Sequence, residues 1–180
     1  GARGVEGKIK AIKFARENKI PYLGLCYGMQ LMTIEYARNV LGIKDANTAE
    51  INPEGKNCVI DMMPDQKEKI AKGEFGGTMR LGEFPCFLRK GTIAEKAYGE
   101  SLILERHRHR YEVNPEYIAQ LEDAGLIFSG TSKDKRLMEI AELPKKDHPF
   151  MLGTQFHPEF KARPLAPHPL FTEFVRAVKK

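Results

Sequence analysis

The chain has 180 residues, enough for one domain with a single sizeable core, and its 42% hydrophobic and 29% charged content is ordinary for a globular protein. No apolar run approaches the length of a membrane span, nothing reads as a secretory signal, and the net charge of +5 comes with scattered lysines rather than one basic stripe, which speaks for solubility over nucleic-acid binding. The three cysteines, Cys26, Cys58 and Cys86, are odd in number and lack metal-ligand spacing, which predicts a reducing, cytoplasmic setting with at least one free thiol.

From the N-terminus, Ile9, Ile12 and Ala15 recur at helical spacing and predict a helix from Val5 to about Asn18. A doubly wound α/β domain normally opens on a strand, so a chain that opens on a helix reads as part of a longer polypeptide. Residues 20–25 predict a short buried strand with Pro21 at its entrance, and the dense apolar positions from Gly28 to Val40 predict a helix buried on most sides. Between them, Gly24-Leu25-Cys26-Tyr27-Gly28 sets a cysteine between two glycines at a strand-to-helix junction. A nucleophile on so sharp a turn needs small neighbours, and the helix N-terminus favours a thiolate. A buried structural cysteine beside two turn glycines would look the same at this point.

Gly42 predicts a helix stop, residues 45–57 read as a polar loop, and Cys58 to Met63 predicts a strand. Residues 65–74 are a charged, solvated stretch, and Gly76 and Gly77 before Thr78 lack the Lys-Ser/Thr of a phosphate loop. Two strands are predicted around Arg89-Lys90-Gly91. In an extended Arg106-His107-Arg108-His109-Arg110, the arginines share one side and the histidines the other. That segment is short for a nucleic-acid patch and lacks further metal ligands, so recognition of a carboxylate by a guanidinium is the preferred reading. Asn114 and Pro115 open a helix to about Ala124, strands are predicted near 126–129, 137–142 and 150–155, and a last helix follows His168 with Leu170, Phe171, Phe174, Val175 and Val178 on one face. In Gln155-Phe156-His157-Pro158-Glu159, an extended backbone would turn His157 and Glu159 toward one space. A thiol, a histidine base and an acidic orienter are the roles of a covalent hydrolase.

The cysteine turn and the His157-Pro158-Glu159 triplet resemble the class I glutamine amidotransferases, and residues 76–82 and 105–111 are similar to segments typical of CTP synthase glutaminase domains. The resemblance spans residues 1–180 and implies a flavodoxin-like α/β fold, an open and mostly parallel sheet flanked by helices, here lacking its first elements. It implies Cys26, His157 and Glu159 as catalytic residues. Along glutamine it places Gly1, Tyr27, Gly28, Met29, Gln30, Glu50 and Arg108, with Glu50 at the α-ammonium and Arg108 near the α-carboxylate. The oxyanion donors it implies are the Tyr27 N–H and a glycine-rich loop ending at Gly1. Arg106 and Arg110 are left for a synthetase interface, and Arg80 has no role. No cofactor is implied in this domain. ATP and Mg²⁺ would serve an absent N-terminal synthetase domain of the same polypeptide that aminates UTP to CTP, and the full-length protein would be a homo-oligomer, a tetramer. A stand-alone γ-glutamyl hydrolase with the same triad and a catalytically silent partner-binding module are the alternatives.

Overall fold

The computed structural model describes residues 3–62 and 79–179; Gly1, the charged stretch 65–74, and Gly76, Gly77 and Thr78 lie outside the described residues. Helix α1 (Val5–Glu17) buries Val5, Ile9, Ile12 and Ala15, the side the periodicity predicts. It leads into β1 (Tyr22–Leu25) and α2 (Tyr27–Asn39). Then follow β2 (Asn47–Thr48), β3 (Cys58–Met62), β4 (Arg80–Leu88), α3 (Ile93–Tyr98), β5 (Leu102–His109), β6 (Tyr111–Val113) and α4 (Pro115–Asp123). The chain closes with β7 (Ile127–Thr131), β8 (Met138–Glu142), β9 (Met151–Thr154), a 3₁₀ turn over Pro158–Phe160 and α5 (Pro169–Val178).

A six-stranded sheet runs β1-β9-β8-β7-β4-β5, and a smaller sheet runs β2-β3-β6. The α/β architecture is as expected, but the sheet is mixed rather than mostly parallel. Among the described residues of the larger sheet, β1 and β9 pair in parallel and the other pairings are antiparallel. The physical reason lies in the connections. Parallel neighbours need a long crossover, whereas β7 and β8 are joined by residues 132–137 alone, a reach that permits only a hairpin.

The sheet carries core on both faces. Met151 packs with α1 and α2 on one side, while Phe150, Leu152 and Ile140 pack with Ala94 and Leu170 of α3 and α5 on the other. Helix α2 lies hard against the sheet because two strand positions have no side chain. A Cβ on Gly153 would fall 2.8 Å from Met29 Cβ, and one on Gly24 would fall 2.7 Å from the Gly28 carbonyl carbon. Between the helices, Arg16 holds the fully buried Glu35 through Nε–Oε2 and Nη2–Oε1 bonds of 2.9 Å each, the pairing a buried carboxylate needs.

Helix α3 is absent from the sequence reading, although its signals are present. Thr92 Oγ1 accepts from Glu95 N at 3.2 Å, and Gly99 closes the helix at φ 72°. The buried Glu142 carboxylate adds a second cap, accepting from Ile93 N at 2.6 Å and Ala94 N at 3.0 Å. The apolar face expected on α5 is only partly covered: Leu170 is buried, whereas Val175 is 48% and Val178 58% exposed. His168 anchors that helix. Its Nδ1 accepts from Leu170 N at 3.3 Å, so Nε2 carries the proton and donates to buried Glu105 at 2.9 Å. The lysines scattered in sequence converge here as well. Lys90, Lys96, Lys145, Lys146 and Lys179 all line a groove of about 940 Å³ at the N-terminal end of β9.

Candidate active site

Cys26 occupies the residue between β1 and α2, at φ 49° and ψ −99°, a sparsely populated conformation that costs about 1–3 kcal/mol and persists where the surroundings enforce it. The enforcement is visible. Cys26 N donates to Thr154 O at 2.6 Å, and Tyr22 Oη donates to Gly28 O at 2.9 Å, so strand and helix are both fastened to the turn. Of the two flanking glycines, Gly24 is needed for the close approach of α2, while a Cβ on Gly28 would meet only Tyr22 Oη at 3.4 Å.

The parallel pairing of β1 with β9 sets Leu25 opposite Thr154. Cys26 and His157 therefore leave the same edge of the sheet, from the C-terminal ends of neighbouring strands. His157 N donates to Arg106 O at 2.9 Å, which ties this segment to β5. The expected extended backbone is not what joins His157 to Glu159. The 3₁₀ turn folds the carboxylate back so that His157 Nδ1 donates to Glu159 Oε1 at 2.6 Å. The imidazole stacks on Phe160, with centroids 5.0 Å apart. With Nδ1–H committed to a carboxylate, the lone pair belongs to Nε2, and that nitrogen is buried without a hydrogen-bond partner among the described residues.

Beside Cys26 is a cleft of about 290 Å³. Tyr27, Gln30, Glu50 and Arg108 line it, as do Met79, His109, Arg110 and Tyr111. An acidic group and two guanidiniums in a cleft next to a thiol suit a small zwitterion. Arg110, left for an interface in the sequence reading, lies on the cleft wall together with Arg108. The strand alternation is as read: Arg106, Arg108 and Arg110 are exposed, and Glu105, His107 and His109 are buried. The Met29 side chain lies in the core against Gly153 rather than in the cleft, which leaves only its backbone for any substrate contact; Gly28 and Met29 are not among the lining residues. Gly1 is outside the described residues.

The thiol itself departs from the expected helix-terminus effect. Burial pushes Cys26 up to about 11, with the charges of Glu112 and Glu159 adding to it. The Tyr27 N–H and the Gln155 amide oppose this shift without cancelling it. At neutral pH the sulfur keeps its proton until a base removes it.

Arg80, without a role in the sequence reading, is the centre of a buried ionic cluster under the cleft. Its Nη2 lies 2.7 Å from Glu139 Oε1, its Nη1 is 3.5 Å from Glu112 Oε1, and its Cζ sits 4.5 Å over the Phe84 ring. His107 Nδ1 and His109 Nε2 are 2.9 Å apart, and His109 Nδ1 is 3.3 Å from Glu112 Oε1. Burial, with the Arg80 charge behind it, pushes His107 down to about 2 and His109 down to about 3. Burial and the neighbouring Glu139 charge push Glu112 well above the usual carboxylate range, and burial raises Glu139 too. The alternation around His107 and His109 was the one signal in the sequence for this cluster. Glu112 and Glu139 carried none. Among the described residues, no group of three or more His, Cys, Asp or Glu side chains is arranged to hold a metal ion, and no helix is long and apolar enough to cross a membrane.

Comparison with known proteins agrees with this geometry. The family model "Glutamine amidotransferase class-I" matches residues 1–177. A CTP synthase of Carboxydothermus hydrogenoformans is 62% identical over 180 residues, which are 100% of this chain and 33% of that protein. One from Archaeoglobus fulgidus is 57% identical over 180 residues, again 100% of this chain and 33% of the relative. The chain thus spans about a third of the length of the curated relatives it matches. Among solved structures, the glutaminase domain of Trypanosoma brucei CTPS with bound acivicin superposes with a TM-score of 0.91 at 39% identity, covering 99% of this chain and 67% of that one. Matched along nearly its whole length, with its cysteine elbow and histidine–carboxylate pair at one sheet edge, the chain belongs to the class-I glutamine amidotransferase family, with the glutaminase domains of the CTP synthases.

Proposed function

We propose that this chain hydrolyses the side-chain amide of L-glutamine through a thioester on Cys26. The observation that carries the reading is the His157–Glu159 pair, closed at 2.6 Å, leaving β9 beside the strand that delivers Cys26. His157 Nε2 takes the Cys26 proton, which a buried thiol pushed up to about 11 does not release unaided. The sulfur attacks the amide carbon of glutamine and forms a C–S bond. The protonated His157 then gives its proton to the leaving nitrogen, the C–N bond breaks and ammonia departs. Water, deprotonated by His157, attacks the thioester carbon, the C–S bond breaks, and glutamate leaves with the thiol restored. Glu159 keeps the imidazole in the tautomer that presents Nε2. The Tyr27 N–H is one donor to the oxyanion.

Glu50 faces the substrate α-ammonium, and Arg108 with Arg110 faces the α-carboxylate, an assignment supported by their place on one cleft. Gln30 completes that wall. The ammonia serves an ATP- and Mg²⁺-dependent amination of UTP to CTP on a synthetase domain of the same polypeptide, in a cytoplasmic homo-oligomer. The length of the CTP synthase relatives supports the additional domain.

The test is Cys26→Ala assayed for glutamate release, together with mass spectrometry of the parent chain quenched during turnover. Loss of hydrolysis and a γ-glutamyl adduct on Cys26 are expected. Undiminished hydrolysis by Cys26→Ala would refute the mechanism. Acivicin, which the Trypanosoma brucei domain binds, is expected to compete with glutamine.

A further inference from the structure

We propose that Gln155 is a further catalytic residue of this site, one whose side-chain amide donates to the Cys26 sulfur in a direction dictated by a chain of amides running back to the Tyr111 carbonyl. The inference rests on Cys26 being the nucleophile and adds a group that holds its thiolate.

Gln155 is fully buried directly after β9, and its backbone N–H is held by Glu139 O at 2.8 Å. Its Nε2 stands 3.6 Å from Cys26 Sγ, a hydrogen-bond distance for sulfur. An amide can present either end to a neighbour, so the direction needs a reason. Tyr111 O can only accept. Gln30 meets it with Nε2 at 3.0 Å, and the same NH₂ group is 3.3 Å from Gln155 Oε1. With Oε1 thus occupied, Gln155 must present its NH₂ to the sulfur. The opposite arrangement would set two NH₂ groups against each other and an oxygen against the thiolate. A buried polar side chain is costly to leave unpaired, so the polarity of the whole chain of bonds follows from one backbone carbonyl.

An N–H donor gains strength when its acceptor becomes an anion. The bond is therefore stronger to the thiolate than to the thiol, and acts on the charge that develops as the proton leaves. Glu112 on β6 and Glu159 beyond β9 work against that charge, and burial does so most. The substitutions below are uncharged and leave those groups, His157, Glu50 and the cleft arginines in place.

The experiment reads the sulfur directly, without substrate. The rate of Cys26 alkylation by iodoacetamide is measured across about pH 6–11, with the site assigned by mass spectrometry and folding checked by circular dichroism. Gln155→Met is expected to raise the apparent thiol pKa by about one unit, making alkylation at neutral pH about tenfold slower. Gln30→Met frees Gln155 to turn and is expected to raise the pKa by less. The double variant is expected to match Gln155→Met alone, because the bonds act in series. An alkylation profile for Gln155→Met equal to that of the parent overturns the proposal, as do additive effects in the double variant. Should Gln155→Met not fold, Gln30→Met decides, and an unchanged profile there overturns it. A chain that shows these shifts but no glutamine hydrolysis would keep the amide chain and sink the glutaminase reading. Cys26-dependent hydrolysis without the shifts would do the reverse.

Discussion

Two histidine sites on the same sheet differ in everything except the residue type. His157 stands at the sheet edge, its Nδ1 on Glu159 and its Nε2 without a hydrogen-bond partner among the described residues, against a carboxylate that is 45% exposed. His107 and His109 stand on the inner face of β5, bonded to each other and surrounded by Arg80, Glu112 and Glu139. The first arrangement leaves a lone pair available for proton transfer. The second holds two neutral rings beside a permanent positive charge and removes them from acid–base chemistry near neutral pH. Availability of a nitrogen, not the presence of a histidine, separates a base from a strut.

Substitution should divide the two sites. His157→Ala is expected to lower kcat/KM for glutamine by about 10³-fold or more, with thermal stability nearly unchanged. Parent-like turnover by that variant would erase the distinction. Arg80→Met leaves two buried carboxylates unmatched and is expected to destabilise the chain by about 3–5 kcal/mol in urea unfolding. A loss below about 1 kcal/mol would mean the cluster is not the support it looks to be. Glu159→Gln keeps a partner on His157 but weakens control of its tautomer. Because the carboxylate is half-exposed, the expected loss is smaller, about 10²-fold in kcat with little change in KM.

The pH dependence of stability sharpens the comparison further. His107 and His109 have depressed folded pKa values, so their contribution is present above the unfolded value of about 6.5 and is lost as pH falls toward about 3 and then 2. Each adds a slope of up to about 1.4 kcal/mol per pH unit in that window, stability falling with acid. Glu112 and Glu139 are raised, so they act with the opposite sign above about pH 4.5 and offset the histidines there. Stability from this cluster should fall more steeply with acid below about pH 4.5 than between about pH 4.5 and 6.5, where the raised carboxylates oppose the histidines. Urea unfolding of the parent and of His109→Gln across that range tests this, and the variant should lose part of the acid slope. The smallest effect is expected at Glu142→Gln, which weakens one of the two caps of α3 by about 1 kcal/mol without changing turnover.

Local chemistry was legible where neighbours in sequence are neighbours in space. The Gly24-to-Gly28 elbow, the inward face of α1, the Asn114–Pro115 start of α4 and the alternation through β5 all follow from backbone geometry and periodicity within a few residues. Helix α3 carries its signals in Thr92, Glu95 and Gly99, and it stands where a strand is predicted after Gly91.

What the residues could not disclose alone was decided by pairing across long sequence separations. The parallel register of β1 on β9 brings Cys26 and His157 to one edge, and no local signal encodes a register. The antiparallel register of β4 on β5 sets Arg80 opposite His109, which turns an unassigned arginine into the counter-charge of two carboxylates. Burial, too, is a tertiary property. It overrides the helix terminus at Cys26, silences His107 and His109, and gives the Gln155 amide a single direction, because in a dry interior each charge and each polar hydrogen must find a partner.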